Sequence, residues 1–368
     1  MAQTIVSRTT YVEKAAVRNK LLMNIASSHG TGIKISVGSW KDVQWVNRHG
    51  LAAKELRVGD QLQCSHDTYG TLTWDIAGFD RDRPSDPSLK HSIALKTHEP
   101  VDHAMFDAPE ALYVPEEELP AGTYCFAVPV NVYEAGTEWG GGKTYQFVLT
   151  QPVPAKGQIC ISWGVNVHAS AAKIVTYSDP TSMTPIETVP VTEGSGGTEL
   201  VVGQGAHTIG RARFGNNDYT LSAIRQCINS DKEDWWKPQH DYDRPPDYAA
   251  TKAGFLHGID PEFLSVVGAV EQTIQRLAID GGSATINDRF FLPSEAQVLG
   301  GNAYPCYAPN HSADPSRMMY YNGQPASWQL RAPNTLLTGG VRMVDMRGGG
   351  STTWVNSVPR VVPFCCIV

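Results

Sequence analysis

Nowhere in the 368 residues does an apolar run reach the length of about 18 that a membrane-spanning helix requires. The N-terminal stretch MAQTIVSRTTYVEK has no apolar core of the kind secretory signals carry, which points away from Sec export. Basic residues are outnumbered, 30 Lys plus Arg against 37 Asp plus Glu, for a net charge of −7. They are also scattered, so the basic stripe that a nucleic-acid partner needs is missing. The seven cysteines are odd in number and no two have C-x-x-C spacing, which argues against a disulfide framework and a structural zinc site. Such a chain is expected to fold in a reducing cytoplasm. No H-E-x-x-H, EF-hand loop or G-x-S-x-G elbow occurs, and no internal repeat of fixed period is evident.

What is abundant is turn chemistry. The 34 Gly and 24 Pro predict many turns and short strands, and 41% hydrophobic residues suffice for two or three cores in a chain of this length. Residues 8–27 read as a helix, with Ala15, Ala16, Leu21, Leu22 and Ile25 as its apolar stripe and Ser27, Ser28, Gly30 and Gly32 as its end. So short a helix needs a cover: a neighbouring element, another copy or a particle. Residues 33–105 read as strands and turns, with 54–64 and 70–78 as a hairpin pair. Residues 110–203 alternate with period 2 in runs such as LPAGTYCFAVP, TYQFVLT, GQICISW, KIVTY and IETVPV, the pattern of an all-β sandwich or jelly roll. Two helices are predicted next, at 221–229 and from Asp260, an N-cap followed by Pro261. Beyond Phe291 the chain reads as loops with a few terminal strands.

Several motifs look like chemistry and read better as structure. GTEWGGGKT at 136–144 imitates a phosphate-binding loop, but it has one residue too many and a strand follows where a helix should. Cys365 and Cys366 read as alternately buried residues of a final strand. Asp241, Asp243 and Asp247 read as a solvated, side-chain-capped turn rather than a calcium site. Trp235, Trp236 and Trp328 read as core. Trp354, within the polar stretch GGGSTTWVN, reads as an exposed aromatic anchor.

Residues 214–231 (FGNNDYTLSAIRQCINSD), 235–239 (WWKPQ), 255–264 (FLHGIDPEFL), 321–323 (YNG) and 328–333 (WQLRAP), with the close VRMVD at 341–345 and PRVVP at 359–363, resemble an uncharacterised domain family of gut Firmicutes, their phages and prophages. That family's fold is similar to the formylglycine-generating-enzyme branch of C-type-lectin-like domains. Its usual close is W-W-L-R-S-P … V-R … G-V-R-P-A; here Gln329, Ala332 and Val358 depart from it. The family's opening V-G-D … W-x-V is matched by Val58, Gly59 and Asp60 with Trp74, Asp75 and Ile76, far upstream of Ser222.

The resemblance implies an α+β chain: a C-type-lectin-like domain split over 33–105 and 206–368, an inserted all-β, sandwich-like domain at 106–205, and an N-terminal attachment helix at 1–32. It implies a phage virion display protein, head- or tail-attached and assembled in the host cytoplasm, that binds a host surface protein or glycan. Other virion proteins are the remaining partners, with no nucleic acid and no membrane insertion, and a homo-oligomer, a trimer, is expected. No cofactor, metal or catalysis is implied. Some such domains are variable targets of diversity-generating retroelements, and 329–358 has the matching texture, with framework residues Leu330, Arg331, Pro333, Val341, Arg342, Val344 and Gly348 between idiosyncratic ones. The implied ligand-binding set is Gln329, Asn334, Leu336, Met343, Asp345, Arg347, Thr353, Trp354 and Asn356, clustered on one exposed face. Two alternatives stay open. A formylglycine-generating-type oxidase would need a reactive cysteine pair, for which Cys227 and Cys306 lack a recognisable arrangement. A calcium-dependent sugar lectin would need an acidic tripeptide, which Gln324, Pro325 and Ala326 do not supply.

Overall fold

The computed structural model describes residues 39–128, 142–162, 172–308, 310 and 312–368, with two short strands at Ala26–Ser27 and Ile33–Lys34. The expected helix at 8–27 therefore falls almost wholly outside the described residues. Its last two positions are corrected: Ala26 and Ser27 pair with Lys34 and Ile33 as strand. The described chain is mostly β-strand in curled sheets, with few and short helices.

The largest sheet is built from both ends of the sequence. Gln61–His66 and Gly70–Phe79 form a hairpin at the expected turn, but its first strand starts only at Gln61, since Ala52–Glu55 is helical, and Ile93–Thr97 follows on its far side. The next strand is Phe364–Ile367, which lies antiparallel to Ile93–Thr97 and is itself flanked by Val267–Gly268 and Phe290–Phe291. Phe364–Ile367 is buried along its whole length, as expected for a strand packed on both faces. Successive residues point to opposite faces. Cys365 enters a core with Leu62, Trp74, Phe263 and Phe290, and Cys366 a second core with Trp328, Leu330, Phe291 and Tyr304.

Trp40–Arg48 forms a helix where strands and turns were expected. Ser39 caps it by accepting the N–H of Lys41, and Trp40, Val43, Val46 and Asn47 fall on one buried face at helical spacing. That face covers the first core: Trp40 meets Phe263 at 4.6 Å, and Asn47 Nδ2 donates to the backbone O of Ile367. The short helices Ala223–Ile228 and Pro261–Val266 begin at Ser222 and Asp260, whose side chains accept the first free N–H groups.

Between Ile93–Thr97 and Ala223–Ile228 in sequence, the chain builds a third core from two sheets. One holds Gln158–Ser162, Lys173–Tyr177 and Glu187–Pro190; the other holds Gly122–Ala127 and Thr144–Leu149, edged by Thr192–Glu193 and Thr198–Glu199. Phe126, Tyr145 and Phe147 of one sheet meet Ile159, Ile161 and Ile174 of the other, and Ile209 and Ala212 of helix Ile209–Phe214 close the core. The glycine-rich segment at 136–141 lies outside the described residues; Thr144 beyond it opens a strand.

Candidate functional site

The C-terminal sheet runs, from its edge inward, Gly350–Trp354, Gly340–Val344, Trp328–Pro333, Arg360–Val361 and Asp102–His103. It contains or adjoins all nine residues of the expected ligand set but divides them. Opposed residues in an antiparallel pair share a face. Met343 opposes both Gln329 and Ser351, and Val341 opposes Thr353, whereas Trp354 opposes Gly340 and shares its face with Arg342 and Thr352. A single exposed face is thus excluded by the period of the strand. The turns are divided as well. Asn334, Leu336 and Asn356 lie at the Trp354 end, while Asp345 and Arg347 lie in the turn at the other end, across a strand of five residues. At about 3.3 Å per residue that is roughly 15 Å.

Gln329 requires a second correction, because its side chain is fully buried. The segment between Trp354 and Arg360 must cross the sheet to bring Arg360 alongside Trp328 in parallel, and it covers Gln329 on the way. The Gln329 amide donates to the backbone O of Ala104 and faces that of Pro359. Trp354 is half-buried, its indole stacked on Phe214 at 3.8 Å and 6°. The polar stretch before it forms strand Gly350–Trp354. Met343, Asp345, Thr353 and Asn356 are also half-buried, and Asp345 is engaged in its own turn, accepting the N–H groups of Arg347 and Gly349. Leu336 and Arg347 are exposed. Leu330, Arg331, Pro333, Val341, Val344 and Gly348 are buried; Arg342 is half-buried and pairs with Glu295 at 2.6 Å.

Leu336 is the most exposed large apolar side chain described, at 71%. Its turn is nonetheless held rigidly. Asn334 Oδ1 accepts the N–H of Leu336, Asn334 N–H reaches Gly340 O, and the buried Asn217 amide donates to Leu337 O and Gly340 O.

A separate feature was not anticipated from the sequence. A cleft of about 680 Å³ opens between residues 80–83, the hairpin Val270–Gln275 with Ser283–Asp288, residues 294–304 and the strand containing Arg331. Asp82 is buried beside it. Its Oδ1 accepts from the Gln272 and Gln297 amides at 3.2 and 3.0 Å, and its Oδ2 from the Tyr304 hydroxyl at 2.9 Å. Arg331 is 3% exposed. Its Nη1 donates to Leu292 O, its Nε has no partner, and no other protein hydrogen bond from the guanidinium is found among the described residues. Burial pulls the Arg331 guanidinium below its ordinary pKa, against the opposing fields of Tyr219, Tyr304, Asp82 and Asp288. The one legible signal was an arginine in WQLRAP, a strand buried at every position.

The other motifs resolve as structure. Asp243 accepts the N–H groups of Gln239 and His240 as a turn cap, and among the described residues no group of three metal-ligating side chains gathers. All seven cysteines are free. Burial pushes the thiols of Cys227 and Cys306 up to about 12 and about 11, so neither is a ready nucleophile at neutral pH. Gln324–Ala326 pairs with Met319–Tyr321 as a small hairpin. No helix among the described residues is long and apolar enough to cross a membrane.

Residues 198–368 match the model of a family described as a domain of unknown function (DUF6273). No curated protein and no solved structure matches the chain.

Proposed function

We propose that this chain is a display protein of a phage particle, attached to head or tail, whose C-type-lectin-like C-terminal region binds a host-surface ligand without catalysis. The observation that carries the reading is the turn bearing Leu336. An exposed apolar side chain on a turn ordered by a buried asparagine, at the same end of the sheet as a half-buried tryptophan, is the makeup of a preorganised binding hot spot. A turn held from within tolerates changes at its outward positions, which is what a diversified binding segment requires. The strongly raised thiol pKa values of Cys227 and Cys306 disfavour the oxidase alternative. The test has two parts. Mass spectrometry of purified particles should find the chain, and labelled protein should bind host cells. Leu336→Asp should abolish that binding with the melting temperature unchanged, because Leu336 contributes little to any core. Absence from particles, or full binding by Leu336→Asp, overturns the proposal.

A further inference from the structure

We propose that the cleft beside Asp82 and Arg331 is a second binding site, separate from the Leu336 turn, and that it takes an acidic saccharide whose carboxylate meets the Arg331 guanidinium. The charges lining the cleft are nearly all engaged within the protein. Arg81 donates to the backbone O of Asn302 and Ala303, Arg83 faces Glu271 at 3.9 Å, Glu295 pairs with Arg342, and Asp80 pairs with His91. Asp82 accepts from the two glutamine amides, the Tyr304 hydroxyl and the Cys366 thiol. Arg331 is the least satisfied of them: on the cleft wall its guanidinium donates from Nη1 to Leu292 O and lies 5.6 Å from the centre of the Phe291 ring, and its Nε has no partner.

A buried guanidinium with an unpaired donor costs free energy, and a carboxylate is the group whose two oxygens fit its planar fork. The cleft is far larger than an inorganic anion, whereas one or two sugar rings fill such a volume. Its other walls suit hydroxyl groups, since Thr273, Gln275, Ser283 and Asn302 offer neutral donors and acceptors. Asp82, locked by two glutamine amides and a tyrosine hydroxyl, holds those three side chains in place next to Arg331, so the site is organised before the ligand arrives.

The test is calorimetric titration of the full chain with digalacturonate, with lactose as the neutral comparison and sulfate as the simple anion. Saturable binding of digalacturonate is expected, with lactose at least about tenfold weaker and sulfate unable to displace the sugar acid. Arg331→Lys should weaken digalacturonate binding by about tenfold or more, since an ammonium cannot make the planar two-point contact. Should that core variant fail to fold, Thr273→Glu sets a repelling carboxylate at the exposed mouth of the cleft and should cause a similar loss. Leu336→Asp should leave digalacturonate binding unchanged, which separates this site from the display surface. No binding of digalacturonate, equal binding of lactose, displacement by sulfate, or full binding by Thr273→Glu would each overturn the proposal.

Discussion

Trp328 and Trp354 lie two strands apart in one sheet, yet their surroundings assign them different energetic roles. Trp328 is wholly buried in the central strand, and its indole N–H donates to Arg317 O at 3.0 Å. Trp328→Ala removes the largest side chain of its core and leaves that carbonyl unpaired, so a loss of about 3–5 kcal/mol is expected in denaturant unfolding. Trp354 on the edge strand keeps one ring face against Phe214, and Trp354→Ala should cost only about 1 kcal/mol. Equal losses in the two unfolding curves would show that the edge strand is as deeply packed as the centre. Gly348 makes the same point for backbone. It sits at φ +78°, where a Cβ would come within 2.0 Å of Asp314 O, and its own carbonyl accepts from the buried Arg317 at 2.7 Å. Gly348→Ala should therefore lower stability by more than about 2 kcal/mol, and a variant as stable as the parent in thermal unfolding would refute this close approach.

Asp75 and Lys96 oppose each other on neighbouring strands of the large sheet, and both are buried, with Nζ to Oδ2 at 2.6 Å. Burial alone would raise the Asp75 carboxyl, but the charge of Lys96 and the hydrogen bonds from His98 and Lys96 bring it down to about 2. Because the folded value lies below the unfolded one, the pair stabilises the protein above pH about 4, and that contribution fades as pH falls toward about 2. The loss should be on the order of 2 kcal/mol, read as a fall in melting temperature across that window. Lys96→Met leaves Asp75 buried without its cation and should cost about 3 kcal/mol at neutral pH. If the variant matches the parent in urea unfolding at neutral pH, the two strands are held by their ladder and cores alone. The hairpin itself was legible from its period-2 runs and its Gly70 turn. The ion pair across the next strand was not, because Lys96 could be placed opposite Asp75 only once the register was known.

Phe364–Ile367 is the strand on which the whole molecule depends. It joins Ile93–Thr97 to the pieces at Val267–Gly268 and Phe290–Phe291, and its alternate residues enter two different cores. Removing residues 362–368 should expose both cores and unfold the chain, seen as loss of near-ultraviolet dichroism and of a cooperative melting transition. A truncated chain that still melts cooperatively would mean that the sheet closes without the strand that joins its two ends of the sequence. The family match over 198–368 contains this strand but not the hairpin and strand at 61–97 that complete its sheet. Those upstream strands are therefore required to cover Cys365 and its neighbours.

Local signals sufficed where the cause is local. Asp260 with Pro261 marks a helix start because a side-chain oxygen and a fixed φ satisfy the first turn whatever lies around it. The alternation of 119–129, 144–150 and 157–163 predicted strands because a half-buried sheet demands period 2. The burial of Gln329, the separation of the expected ligand residues to two faces and two ends, and the meeting of Asp82, Gln272, Gln297, Tyr304 and Arg331 at one cleft came only from the tertiary structure. Each depends on which strands become neighbours and where a crossover runs, and those are set by long-range packing that no window of sequence contains.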